Sequence, residues 1–294
     1  MAFSRFSTAI DPAWFADEPR PSNACGLAIQ WLGTAGFRVM AGGQHFWLDP
    51  HLSRHSLSDL AFGKIEPRLD QIAADVDAAD AVAVGHSHFD HALDAPAIAA
   101  KTGARVYGSS DTLNWCRGYG LPESQLVELH GQGESFRQGP FELKAILSAH
   151  SPILAGRVPL PGRIDAILRG PARYTRWRVG LTFGLHLNTA AGSVYHLGSA
   201  NLVEAELSGI TADILLCCTV GRQSVPNFTR RAVAALQPKL VIPCHWDQFW
   251  RPLDGATRQI PGNDLAGFLR EVADCPSAPS VRVLPIRGWA VWRA

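Results

Sequence analysis

His86, His88, Asp90 and His91 fall within the six-residue run His86-Ser87-His88-Phe89-Asp90-His91. Neutral imidazole and carboxylate are the nitrogen and oxygen ligands of borderline divalent ions such as zinc. The run follows Ala81-Val82-Ala83-Val84-Gly85, an apolar stretch that reads as a buried strand ending in glycine. At the tip of a strand that turns into a helix, neighbouring side chains converge, free of the alternation a continuing strand imposes. The predicted chemistry is metal binding.

Two distant histidines also stand just beyond apolar runs: His150 after FELKAILSA, and His245 after LVIPC. A strand that ends in a ligand gives a rigid site, because the sheet fixes the backbone and the loop supplies reach. Alone, either is a sheet-end histidine; with the cluster, both become candidate ligands.

The elements that must position these groups follow from periodicity and turn signals. Strands are predicted near 27–32, 36–41, 44–49 and 80–84. A helix follows at 92–102, then a short strand at 105–107 and a helix opening at Ser109 or Ser110 with Asp111 in its first turn. Strands near 126–129 and 141–149 close the first half. The second half has strands at 180–188, 193–198, 213–218 and 240–244, helices at 226–236 and 263–273, and a last strand at 281–286. By itself this pattern supports a mixed α/β protein.

With His86-x-His88-x-Asp90-His91, His150 and His245 stand two further stretches, Ile29-Gln30-Trp31-Leu32-Gly33-Thr34-Ala35-Gly36-Phe37 and Trp47-Leu48-Asp49-Pro50. On these residues the chain, from about 27 to 250, resembles the metallo-β-lactamase fold superfamily. Its flavour is that of the ascorbate-6-phosphate lactonases and N-acyl-phosphatidylethanolamine phospholipase D. The resemblance implies a four-layer αβ/βα sandwich, with residues 1–294 as one domain. It implies a first metal site of His86, His88 and His150 and a second of Asp90, His91 and His245. Zinc is the expected metal, as one or two ions, with manganese or iron as alternatives. The implied activity is metal-dependent hydrolysis of an ester, lactone or phosphodiester by a metal-activated hydroxide, with Asp90 as the catalytic carboxylate that orients it and moves its proton. Asp49 is either a partner behind a ligating imidazole or the start of an Asp-Pro turn.

One position departs from the family. Where relatives carry an aspartate bridging two metals, Gly198-Ser199-Ala200-Asn201 places Ser199, whose hydroxyl supplies neither the charge nor the two oxygens of a carboxylate. The second site should therefore hold its ion more weakly. The alternative to a hydrolase is a catalytically silent metal-binding or partner-binding protein on the same scaffold.

Residues 151–179 are irregular, with arginines at 157, 163, 169, 173, 176 and 178. A long insertion beside His150 is either a lid or binding loop, or else a loop that is solvated or contacts another copy in a homo-oligomer. As a lid, its guanidinium groups argue for a small anionic substrate. His51 and Arg222 are candidate substrate contacts. Trp246 and Trp250, with Phe249, are either an aromatic cleft wall or packing under the last helix.

Bulk composition narrows the field. The 294 residues carry a net charge of +1, with 47% hydrophobic and 18% charged residues, giving no global drive toward nucleic acid or anionic membrane. The opening twenty residues carry acids and prolines and no sustained apolar stretch, unlike a signal peptide. Cys25, Cys116, Cys217, Cys218, Cys244 and Cys275 form no Cys-x-x-Cys pair and read as reduced, largely buried thiols. The expectation is a cytoplasmic protein with no stable membrane insertion.

Overall fold

The computed structural model describes residues 8–22, 26–153 and 156–293. Cys25 and the first seven residues lie outside them, so the expectations placed on those positions are not addressed. Among the described residues the chain forms two seven-stranded mixed sheets packed face to face. The first sheet contains β1 (Leu27–Gly33), β2 (Gly36–Ala41), β3 (Gln44–Leu48), β4 (Ala81–Ala83), β5 (Arg105–Gly108) and β6 (Leu126–Glu128). The second contains β7 (Gln132–Gln138), β8 (Phe141–Leu147), β9 (Phe183–Thr189), β10 (Gly192–Leu197), β11 (Ile214–Cys218), β12 (Leu240–Cys244) and β13 (Ser280–Val281). The chain then returns to the first sheet, where β14 (Trp289–Trp292) pairs antiparallel with β1. In both sheets three antiparallel pairings are followed by three parallel ones.

Period-two alternation builds the layers. In β4, Ala81 and Ala83 face the inter-sheet core with Phe46, Phe141 and Leu185, while Val82 faces outward. Val82, Val106 and Trp47 are covered by α2 (Leu69–Asp75), α4 (Ala95–Thr102) and α5 (Ser110–Tyr119), through Ile72, Ile98 and Trp115 among others. The second sheet is covered by α6 (Phe228–Leu236) and α7 (Leu265–Ala273), whose Phe228, Val233, Phe268 and Val272 join the main core. Short helices α1 (Leu57–Phe62) and α3 (Phe89–Ala92) complete the helical layers. This is the expected four-layer sandwich. No helix among the described residues is long and apolar enough to cross a membrane.

Three expectations are corrected. The run at 281–286 is not a strand: after the two-residue β13 the chain reaches Pro285, which cannot donate to a ladder, and Gly288, and resumes as β14 on the other sheet. β7 was not expected at all, because QGESFRQ is a half-exposed edge strand without an apolar face. The predicted helix at 92–102 begins earlier and in two pieces, α3 and α4, divided at Asp94, whose Oδ2 accepts from the Leu52 and Ser53 amides.

The arrangement of strand ends positions the chemistry. β3 and β4 run parallel, so their C-terminal ends, bearing Asp49 and the His86–His91 turn, share one edge. β8, β10, β11 and β12 all run in one direction, since β9 is antiparallel to both β8 and β10. Their C-terminal ends carry His150, Ser199, Cys218 and His245.

Residues 163–177 pack over α5. The Ile164 amide donates to Asp111 Oδ1, Asn114 Nδ2 donates to the Ile164 carbonyl, and Trp177 packs edge-on against Trp115 at 5.0 Å. Such an aromatic pair adds about 0.5–1.5 kcal/mol beyond its buried area.

Candidate metal centre

Two donor triads lie side by side: His86, His88 and His150, then Asp90, His91 and His245, the ligand atoms within each group lying within 4.8 Å of one another. The His86 and His91 rings, one from each triad, are 3.8 Å apart. All six residues expected to hold metal are thus brought to one place by chain segments up to 159 positions apart.

Three of the imidazoles, His88, His150 and His91, are oriented by what their outer nitrogen touches. His88 Nε2 lies 3.0 Å from the Pro159 carbonyl, and His150 Nδ1 lies 2.9 Å from the Ser151 carbonyl. A carbonyl only accepts, so these nitrogens carry the proton and the opposite nitrogens keep a free lone pair. His91 Nδ1 donates to Asp49 Oδ2 at 2.8 Å, leaving Nε2 free toward Asp90. His245 Nε2 stands 3.2 Å from Asp90 Oδ2. His88 and His150 of the first triad are therefore held by backbone carbonyls, and His91 by a carboxylate.

Asp49 is the hub behind the second triad. Its Oδ2 also accepts from His196 Nε2 at 2.9 Å, and its Oδ1 accepts from the Gly85 amide at 2.6 Å. Gly198 makes room for this knot: a Cβ there would stand 2.3 Å from Asp49 Oδ2. His196 lies on β10 and faces into the sandwich. Its contact with Asp49 brings it behind the site, and an inward-facing strand histidine gives little sequence signal of that.

Electrostatics separate the two groups. Burial, reinforced by neighbouring imidazoles, pushes His86 well below the ordinary histidine range. Burial likewise lowers His88 to about 4 and His150, with His88 beside it, to about 3. For Asp90, burial opposes ionisation, but His91, His245 and His88 together hold its carboxyl well below the usual range. For His91, burial is outweighed by Asp49 and Asp90, and its pKa is raised.

The donor set suits a divalent ion. His86 Nε2 and His88 Nδ1 are 3.1 Å apart, against roughly 3.3 Å for two nitrogens on a tetrahedral zinc with Zn–N of about 2.0–2.1 Å. Imidazoles with depressed pKa values are neutral at pH 7, the protonation state a ligand needs.

A cavity of about 340 Å³ opens onto the triads. His88, Asp90, His91, His150, Ser151, Ser199, Cys218 and His245 contribute to its floor. Above them stand Phe89, Ile153, Pro159, Leu160, Tyr174, Val220, Phe249, Trp250 and Ile260. Ser199 lies at the floor, and its Oγ accepts from the Ser151 amide at 3.1 Å.

The remaining expectations divide. Trp250 lines the cavity, but Trp246 is fully buried and packs on Trp31 at 4.7 Å. Arg222 is no anion contact for this site. Its Nε pairs with Glu271 on α7 and its Nη2 donates to the Asp264 carbonyl, Gly221 at φ +82° having turned it that way. His51 is fully buried, edge-on to Phe89 and Phe249, and does not reach the cavity. Among the described residues, no arginine or lysine lines the cavity. Arg163 instead pairs with Asp111 at 2.8 Å, and the other five insertion arginines are exposed or half-exposed elsewhere. The expectation of an anionic substrate rested on these arginines and finds no cation on the wall. The apolar contributors Ile153, Pro159, Leu160, Tyr174, Val220 and Ile260 were not foreseen, since isolated loop residues carry no periodic signal.

Two mixed sheets sandwiched between helices, with twin imidazole and carboxylate triads at the strand ends, define the metallo-β-lactamase fold. Residues 28–245 match the family model described as the beta-lactamase superfamily domain, and the chain belongs to that superfamily. It is 29% identical over 226 residues, 75% of its length and 71% of the relative's, to a UPF0173 metal-dependent hydrolase of Myxococcus xanthus. It is 26% identical over 250 residues to another from Methylobacterium nodulans, covering 80% of this chain and 95% of that one. Among solved structures it is similar to Igni18, a metallo hydrolase from Ignicoccus hospitalis, with a TM-score of 0.60 at 18% identity over 91% of this chain and 99% of that one. The isothiocyanate hydrolase from Delia radicum gut bacteria gives a TM-score of 0.58 at 14% identity, covering 91% of this chain and 100% of that one. At these identities the structural likeness speaks to the fold.

Proposed function

We propose that this chain is a metal-dependent hydrolase whose six donors hold up to two divalent ions, with zinc the native metal on its nitrogen and oxygen ligands and manganese or iron on the same donors as alternatives. One observation carries the reading: members of both triads line the floor of a single cavity large enough for a small molecule. A zinc ion bound there would lower the pKa of a water from about 15.7 toward about 7 and polarise the oxygen on which charge develops. Asp90, kept ionised by its imidazole neighbours, faces the cavity, where it can orient a water and accept its proton. Asp49 fixes the ring of His91, and the apolar wall excludes bulk water from the floor. The reaction class is hydrolysis of an ester or lactone, with phosphodiester cleavage as the other chemistry this resemblance admits. Five described cysteines are free and buried, which supports a reducing, cytoplasmic setting.

The test is direct. The purified protein should contain zinc, manganese or iron, and metal-loaded protein should hydrolyse members of a panel of esters, lactones and phosphodiesters. His88→Ala and Asp90→Ala should each abolish turnover. A fully loaded protein inert across the panel would favour the second reading, a silent metal-binding scaffold, which Ser199 alone supports.

A further inference from the structure

We propose that the substrate is a carboxylic ester or lactone whose acyl portion is compact, uncharged and apolar, and that Tyr174, Leu160, Phe249 and Trp250 select it. The proposal rests on the hydrolase reading and adds the chemical class. The imidazole and carboxylate groups lining the cavity are the candidate ligands, with Ser151 and Ser199 beside them at the floor. The wall above is aromatic and aliphatic from four separate segments: Phe89 on α3, Ile153, Pro159, Leu160 and Tyr174 of the insertion, Val220 after β11, and Phe249, Trp250 and Ile260 after β12. These contacts are mutually braced. Phe89 stands edge-on to Tyr174 at 5.7 Å and to Phe249 at 6.0 Å, and Phe249 packs edge-on with Trp250 at 5.1 Å.

Such a wall discriminates by desolvation. A carboxylate or phosphate on the substrate's tail would leave water for a surface that offers it no cation, a cost that burial does not return. A transferring phosphoryl group is ordinarily clamped by arginine or lysine as well as metal, and none lines this cavity among the described residues. A carbonyl carbon needs no such clamp. In the reaction, water oxygen bonds to the carbonyl carbon and the bond to the leaving oxygen breaks. One water proton passes to the leaving oxygen, giving the alcohol, and the other is released as the acid product ionises. Methylenes that meet the wall should each raise selectivity, an effect of about tenfold or more in apolar pockets.

Zinc-loaded protein should be assayed on 4-nitrophenyl acetate, butyrate and hemisuccinate and on bis(4-nitrophenyl) phosphate. From acetate to butyrate, kcat/KM should rise at least about tenfold, and hemisuccinate, similar in length but charged, should fall at least tenfold below butyrate. The phosphodiester should be slowest. Leu160→Arg should narrow or invert the ratio of butyrate to hemisuccinate. Hemisuccinate or phosphodiester equal to butyrate would overturn the substrate class and leave the hydrolase reading standing. A binding arm separates the two claims if no substrate turns over: calorimetry on the metal-free protein should show N-butylhexanamide binding at least tenfold tighter than hexyl phosphate. Inactivity with that preference present would sink the hydrolase reading alone; equal binding, or none, would overturn the proposal.

Discussion

The two donor triads are neighbours, yet they are built on different principles. His88 and His150 are aimed by backbone carbonyls of the insertion, Pro159 and Ser151, and carry no carboxylate behind them. His91 is aimed by Asp49, itself satisfied by His196 and Gly85, and Asp90 stands directly against His245. The first triad is thus three neutral imidazoles in an apolar setting, and the second is an ionised network. A neutral triad depends on loop geometry to form, whereas a charged one depends on having its full set of charges. The comparison implies that insertion geometry governs the first site and charge count governs the second.

The largest effect should come from the charge that faces the cavity. Asp90→Asn removes the carboxylate from the floor while preserving its shape, and turnover should fall by about 10²–10⁴. The measurement is kcat at saturating metal, and a loss of less than tenfold would remove Asp90 from the chemistry. Asp49→Asn should follow, because the three groups around Asp49 are all donors: His91 Nδ1–H, His196 Nε2–H and the Gly85 amide. A carboxylate accepts from all three, but an amide must turn its own NH₂ toward at least one of them. Metal affinity of the second triad should drop about 10–100-fold while the first is untouched. Equal losses at both sites in a chelator competition would erase the distinction drawn here.

Acid should separate the triads in the metal-free protein. His88 and His150 have folded pKa values near 4 and 3, below the unfolded value, so between those values and about 6.5 the unfolded chain binds protons that the folded chain refuses. Stability therefore falls as pH drops from about 6.5 toward 4, by up to about 3 kcal/mol for His88 alone. His91 has the opposite sign: its pKa is raised, so its contribution is full below the unfolded value and fades as pH climbs through the folded one. Thermal melts of the apoprotein from pH 7 to 4.5 should show the loss, and His88→Gln should flatten it. A midpoint unchanged over that range would contradict the neutral-triad account.

What the sequence made legible follows the same division. The His86–His91 run was readable because its donors are local, and His150 and His245 because each follows an apolar strand whose direction the sheet then fixes. Legibility stopped one residue later. Whether Trp246 packs inward depends on the path the chain takes after His245, which adopts φ +56°, and whether Arg222 faces the site or α7 depends on the turn at Gly221, at φ +82°. A left-handed turn at a single position leaves no composition signal when the residue is histidine. The polar edge strand β7 escaped because it has no apolar face of its own, and β14 because its pairing with β1 on the other sheet is a long-range contact that local pattern does not signal. The wall was the least readable part, since its members are scattered and acquire meaning only once the insertion is folded onto α5.

Ser199 offers the smallest and most discriminating change. It stands at the floor between the triads' strand ends, its Oγ accepting from the Ser151 amide, next to the carbonyl that aims His150. An aspartate there could keep that amide as one partner and present a second oxygen toward the cavity. By charge count, Ser199→Asp should raise the ion content of the second triad toward one per chain without altering the first. Mass-spectrometric metal stoichiometry at limiting zinc reads this directly. If the variant and the parent load identically, the second site is already complete with Asp90, His91 and His245, and charge count is not what limits it. If instead the first triad empties, the Ser199–Ser151 contact matters for aiming His150, and the two sites share a support that their separate ligand lists conceal.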